Sequence, residues 1–103
     1  MADPTDPKKF RTYQLALEFY KECKKVKLVG PIKNQFDRAS LSILTNLAEG
    51  WGKPTRVNRK KYFYIAFGSL RETQAMLEII EAKEHLQKLD ILAAHLYKLC
   101  KNT

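Results

Sequence analysis

A chain of 103 residues that is 45% apolar and 29% charged, with four glycines and four prolines, has the composition of one small globular domain, not of a disordered or fibrous chain. No apolar run approaches the ~20 residues of a membrane-spanning helix, and the polar opening MADPTDPKKF lacks the apolar centre of a signal peptide. The formal charge of +8 lies wholly in residues 1–61, which hold 14 Lys/Arg against 6 Asp/Glu, whereas residues 62–103 hold 5 of each.

Pro4 and Pro7 punctuate a short tail, expected to be flexible over residues 1–7 and to precede a single domain at 8–103. A first helix is expected over about 8–27, where Tyr13, Ala16, Leu17, Tyr20 and Cys23 recur at helical spacing. The Val-Gly-Pro at 29–31 stops it, because a residue before proline is pushed out of the α region. A second helix follows over about 32–49. Its stripe is Phe36, Ala39, Ile43 and Leu47, and Leu41, Leu44 and Ala48 widen the apolar arc to roughly 200° at ~100° per residue. One core-facing stripe needs less, so the surplus predicts a second contact, with another helix or another subunit.

GWGKPT at 50–55 is the clearest break in the chain. Gly50 and Gly52 suit a chain reversal, Pro54 cannot sit inside a helix, and Thr55 is placed as an N-cap. A third, long helix is expected over about 56–87, then a short fourth over 91–101 capped by Asp90. No alternating strand pattern and no internal repeat appears. Short connections between helices make antiparallel neighbours, so the predicted fold is an all-α, up-down four-helix bundle. The fourth helix is shorter than the third, which again points to self-association. Cys23 and Cys100 have no CxxC or Cys/His partners and read as core thiols.

Some polar residues fall among apolar ones. With Phe63 at 0° on a wheel of the third helix, Glu72 lies at about 180°, between Ile65 and Ile79, and Ser69 at about 240° within the same arc. Gly68, one turn before Glu72, would permit close backbone approach. On the second helix Arg38, Ser42, Asn46 and Glu49 cluster in the same manner. Buried polar groups are costly unless paired, so Arg38, Ser42, Asn46, Glu49, Ser69 and Glu72 are expected to satisfy one another between helices. The competing reading is a catalytic Glu49/Glu72 pair. It lacks the Glu-x-x-His motifs of a di-metal bundle. Ser/His/Asp arrangements and phosphate-binding loops are lacking too. The expectation is therefore no enzymatic activity, no catalytic residue, no metal and no cofactor.

Two basic clusters stand out. Lys21, Lys24, Lys25 and Lys27 close the first helix, where cations complement the helix dipole. Lys53, Arg56, Arg59, Lys60 and Lys61 surround the start of the third, where the dipole disfavours them, so another reason for them is wanted. With Trp51, Tyr62 and Tyr64 adjacent, this second cluster suits phosphates and bases. Both clusters are candidate nucleic-acid contacts, the bland alternative being a solvated loop. A scaffold that binds a protein such as a polymerase, with the basic face used only for steering, is the competing class.

Two longer stretches carry a resemblance. SILTNLAEGWG and, after it, YIAFGSLRETQAMLEI resemble the two signature blocks of the 23S ribosomal RNA intervening-sequence proteins, approximately S-I-x-x-N-I-A-E-G and A-x-G-S-L-x-E. The blocks map onto Ser42, Ile43, Asn46, Leu47, Ala48, Glu49 and Gly50, then Ala66, Gly68, Ser69, Leu70 and Glu72, and FRTYQLALEFYKECKKV resembles the family's aromatic-rich first helix. The likeness covers roughly residues 10–85. It implies an antiparallel four-helix bundle assembling as a homo-oligomeric ring, typically a pentamer. It also implies kinship with the accessory proteins of diversity-generating retroelements, which are basic helical pentamers that bind RNA and a reverse transcriptase. The resulting expectation is a bacterial, cytoplasmic, non-enzymatic nucleic-acid-binding protein, with RNA as the ligand and no membrane partner. The chain departs from the family pattern at AKEHLQKLD, where a break between the third and fourth helices would be clearer with a glycine.

Overall fold

The computed structural model describes residues 10–103; the expected tail at 1–7 and the first two positions of the expected domain lie outside them. The described residues form four helices and no strand: α1 (Arg11–Cys23), α2 (Pro31–Trp51), α3 (Arg56–Ile79) and α4 (Leu86–Asn102), with a single 3-10 turn at Lys83–His85 before the last. The all-α antiparallel bundle expected from the helical periodicity is the fold.

Each helix is bounded for a local reason. α1 ends at Cys23, four residues before the expected limit. Beyond it Val26 and Leu28 turn back to pack on the core, at a spacing of two that a helix cannot supply. Gly30, at φ 76°, adopts a backbone that other residues resist, and Pro31 opens α2 at the position where its missing N–H costs nothing. The Thr55 side chain accepts a hydrogen bond from the Asn58 backbone N–H (3.2 Å) and so caps α3 as expected.

The end of α3 differs from the sequence expectation. It stops at Ile79, eight residues early, through a Schellman closure. The Ala82 N–H donates to Leu77 O (2.9 Å) and the Glu81 N–H to Glu78 O (3.1 Å). The left-handed residue of this motif is Glu81, at φ 59°, in a place that glycine usually takes. A stop signal was therefore missing from the sequence although the stop exists. A left-handed non-glycine residue costs about 1–2 kcal/mol, so Glu81→Gly is expected to raise the unfolding free energy by about 1 kcal/mol in urea titration. α4 then begins at Leu86 and Asp90 is an exposed residue within it, not its cap. The run Leu89, Leu92, Ala93, Leu96 and Cys100 is its buried stripe.

The core is a column of fully buried side chains from all four helices, among them Phe19, Phe36, Ile43, Leu47, Phe63, Leu70, Leu77, Leu89, Leu92 and Leu96. Both cysteines are buried and free, and burial pushes the Cys23 thiol up to about 12. The α2–α3 hairpin is the most extensive helix pair, and Gly50 lets it close. Gly50 is a buried residue within α2 and does not reverse the chain; a Cβ there would lie 2.9 Å from Phe63 Cε1 and 2.9 Å from Tyr62 Cβ. Gly68, where close approach was expected, has nothing within 4 Å of a built Cβ.

Candidate nucleic-acid interface

Antiparallel alternation divides the basic residues between two poles. One pole holds the end of α1 and the links around it. Lys88 Nζ lies 3.4 Å from Glu22 Oε2, tying the end of α1 to α4, while the buried His85 Nδ1 stands 3.3 Å from Glu22 Oε1 with no hydrogen bond formed. Here Lys21, Lys24, Lys25 and Lys27 are interleaved with acids. Lys25 pairs with Glu22 (3.4 Å), Lys33 with Asp37 (2.7 Å), and Glu81 and Glu84 share a surface hollow with Lys25 and Lys27. Partial burial alone would raise the Glu22 carboxyl, but hydrogen bonds from Lys25 and Lys88 hold it below its ordinary value. Lys24 reaches back over the Tyr20 ring, 5.0 Å from its centre.

The other pole gathers the end of α2, the start of α3 and the end of α4. Phe10 stacks on Trp51 with ring centres 4.2 Å apart and planes 13° from parallel, and touches Phe63 at 5.8 Å, which seats the start of α1 there as well. The loop cations divide by role. Arg59 Nη1 donates to the carbonyls of Lys53 (3.0 Å) and Pro54 (3.1 Å), so this guanidinium fastens the loop to the first turn of α3. Lys53 pairs with Glu49 (3.0 Å), which raises its ammonium above the ordinary value, and lies over the Tyr62 ring at 5.2 Å. Lys61 reaches the same ring at 5.8 Å. Arg56, Lys60 and Lys61 form no ion pair among the described residues. They are the cations this pole presents outward, and Arg59 is better regarded as a brace than as a contact.

The inter-helix polar set is smaller than expected. Ser42 Oγ and Ser69 Oγ are 2.7 Å apart, bridging α2 and α3. Asn46 Nδ2 donates to Ser42 Oγ (3.0 Å) and Ser42 O (2.9 Å). Thr73, fully buried and overlooked in the sequence, donates from Oγ1 to Ser69 O (2.8 Å). The charged members do not join this clasp. Arg38, Glu49 and Glu72 are exposed; Arg38 and Glu72 rim a shallow polar groove on the outer face of α2 and α3, with Gln35, Ala39, Ser42 and Ser69. The inward placement of Glu72 was an error of phase. Ile65 and Ile79, its apolar neighbours on the wheel, are themselves 42% and 72% exposed. The buried face of α3 is Phe63, Ala66, Leu70, Thr73, Met76 and Leu77, about 60° further round. The neutral clasp fits the rule that buried polar groups are paired, while the ionised groups stay in water.

Among the described residues no group of three or more His, Cys, Asp or Glu is placed to hold a metal ion. None of the described helices is long and apolar enough to cross a membrane.

A four-helix bundle with a hydroxyl–amide clasp between its central helices and a cation-rich, aromatic-lined pole belongs to the class of small basic helical-bundle proteins. Within that class, the chain belongs to the 23S rRNA-intervening sequence protein family, whose model matches residues 8–103. Comparison with curated proteins and with solved structures gave no significant match.

Proposed function

We propose that this chain is a non-enzymatic, homo-oligomeric nucleic-acid-binding protein that contacts RNA chiefly through phosphates at the pole formed by the α2–α3 loop. One observation carries the reading. Arg56, Lys60 and Lys61 cluster in the first two turns of α3 with no acid paired to any of them among the described residues, and the helix dipole disfavours Arg56 in the first turn. Tyr62 and Tyr64 beside them add ring surface for bases. The family resemblance to retroelement accessory proteins makes a reverse transcriptase a second candidate partner. The competing reading is a protein scaffold whose basic pole only steers encounter. Filter retention of labelled RNA at low salt tests the proposal: binding is expected, and absence of binding to RNA and DNA would leave the scaffold.

Self-association is supported by a surface stripe along α3. Ile65 and Ile79 are 42% and 72% exposed on one side of the helix, with Gly68 and the exposed Glu72 between them, and Lys61 lies one turn before Ile65 at the edge of this patch. Through this face the chains assemble into the pentameric ring that the family resemblance implies, and a ring multiplies the cationic pole into an avid surface. The double variant Ile65→Glu/Ile79→Glu is expected to run as a single 12.0 kDa chain in light scattering while staying helical by circular dichroism. An oligomer of unchanged mass would put the interface elsewhere.

A further inference from the structure

The nucleic-acid reading concerns the loop before α3, yet a second surface runs on from it. Along α3, Lys60, Tyr64, Phe67 and Arg71 fall on one face at spacings of three and four. Lys60 Nζ lies 5.9 Å from the Tyr64 ring centre and Arg71 Cζ 4.8 Å from that of Phe67. On α4, Lys101 Nζ lies 5.6 Å from the Tyr97 ring centre. Phe67 and Tyr97 meet across the helix boundary with ring centres 6.3 Å apart, tilted by 51°. Tyr64 and Tyr97 are each about half exposed, at 52% and 53%. A shallow hollow beside Tyr97 is lined by Ala94, His95 and Lys98.

Each ring–cation pair alone is an ordinary contact between successive turns of a helix. Their placement is what needs explaining. Three such pairs, from two helices, share one face, bridged by Phe67 and Tyr97 and joined to the cationic pole at Lys60. Half-exposed rings flanked by cations match what unpaired nucleotides require: a flat surface for each base and positive charge for each phosphate. A duplex hides its base faces and gains nothing from the rings.

We propose that the α3–α4 face bearing Lys60, Tyr64, Phe67, Arg71, Tyr97 and Lys101 binds single-stranded nucleic acid, with bases stacked on Tyr64 and Tyr97 and phosphates held by the flanking cations. The inference rests on the nucleic-acid reading above and specifies the form of the ligand as unpaired. Stacking is indifferent to base identity, so the surface is tolerant of sequence.

Fluorescence anisotropy on the full chain tests it, with a labelled RNA strand of about 20 nucleotides, longer than the ~4–16 that one such surface covers, free or annealed to its complement. The double variant Tyr64→Leu/Tyr97→Leu is expected to lose about tenfold or more in affinity for the free strand, with duplex binding unchanged and the helical fold retained by circular dichroism. Tyr64→Phe/Tyr97→Phe keeps the rings and is expected to bind like the unaltered protein. If the Leu variant binds the free strand undiminished, or weakens strand and duplex alike, the stacking surface is refuted while the basic pole stands. If the unaltered protein binds neither form, the nucleic-acid reading itself falls. A strand of DNA in place of RNA is expected to bind comparably, and loss of binding on that exchange would contradict recognition by stacking and phosphate contact.

Discussion

Replacing Gly50 by alanine is expected to destabilise the protein by about 1–3 kcal/mol, although alanine is the better helix former by ~1 kcal/mol. Gly50 lies within α2, where propensity alone predicts a gain. The gain is overridden because the new Cβ would sit 2.9 Å from Phe63 Cε1 and 2.9 Å from Tyr62 Cβ. Neither neighbour can yield easily. Phe63 is 1% exposed in a filled core, and a Cβ is fixed to its backbone. Gly50→Val adds two further carbons at the same point and is expected to abolish cooperative unfolding altogether. Urea unfolding monitored by circular dichroism gives the answer, and an alanine variant as stable as the original would show that α2 and α3 can separate at no cost. Because Tyr62 flanks the cationic loop, the same close approach also sets where the proposed interface sits.

The second large effect concerns binding. Arg56→Glu/Lys60→Glu/Lys61→Glu is expected to lower RNA affinity about a hundredfold or more at ~0.1 M salt, since three phosphate contacts are lost and replaced by repulsion. The fold should survive, because none of the three is buried and none forms an ion pair among the described residues. The opposite pole supplies the control. Lys21→Glu/Lys24→Glu/Lys27→Glu makes the same change of net charge on a surface already interleaved with Glu22, Glu81 and Glu84, and is expected to leave affinity nearly unchanged. Equal losses from both variants would mean that net charge, not the loop, drives binding. Arg59 was left out of the first variant because its bonds to the carbonyls of Lys53 and Pro54 would confound binding with loop collapse.

Much of the fold was legible where one residue type has one use. Thr55 announced a cap, and Phe36, Ile43 and Leu47 a buried stripe, and the structure has both; Pro31 read only as the stop of the first helix, yet it opens α2. The end of α3 was not legible, because Glu81 carries a backbone angle that glycine usually supplies. The face of α3 was misjudged because Ile65 and Ile79 read as core yet stand in solvent, while Thr73 reads as polar yet is fully buried behind its own backbone hydrogen bond. Moving the stripe by about 60° takes Glu72 from an imagined core to the surface. On the candidate interface, the cluster of cations was visible as a run of letters. Which of them are occupied was not, since Arg59 is engaged by a loop whose shape only the fold defines. The ring surface on α3 and α4 was hidden for a related reason: Phe67 and Tyr97 are 30 positions apart and meet only when two helices pack.

The central claim is that the outward cations at the start of α3 neutralise phosphates, and a salt series measures that number directly. Retention of single-stranded RNA should fall linearly as log affinity against log salt, with a slope near −0.7 for each phosphate neutralised. For the Arg56→Glu/Lys60→Glu/Lys61→Glu variant the account predicts a slope shallower by about 2 per chain engaged. Identical slopes for the two proteins, or no retention of RNA by the unaltered protein at the lowest salt, would contradict it.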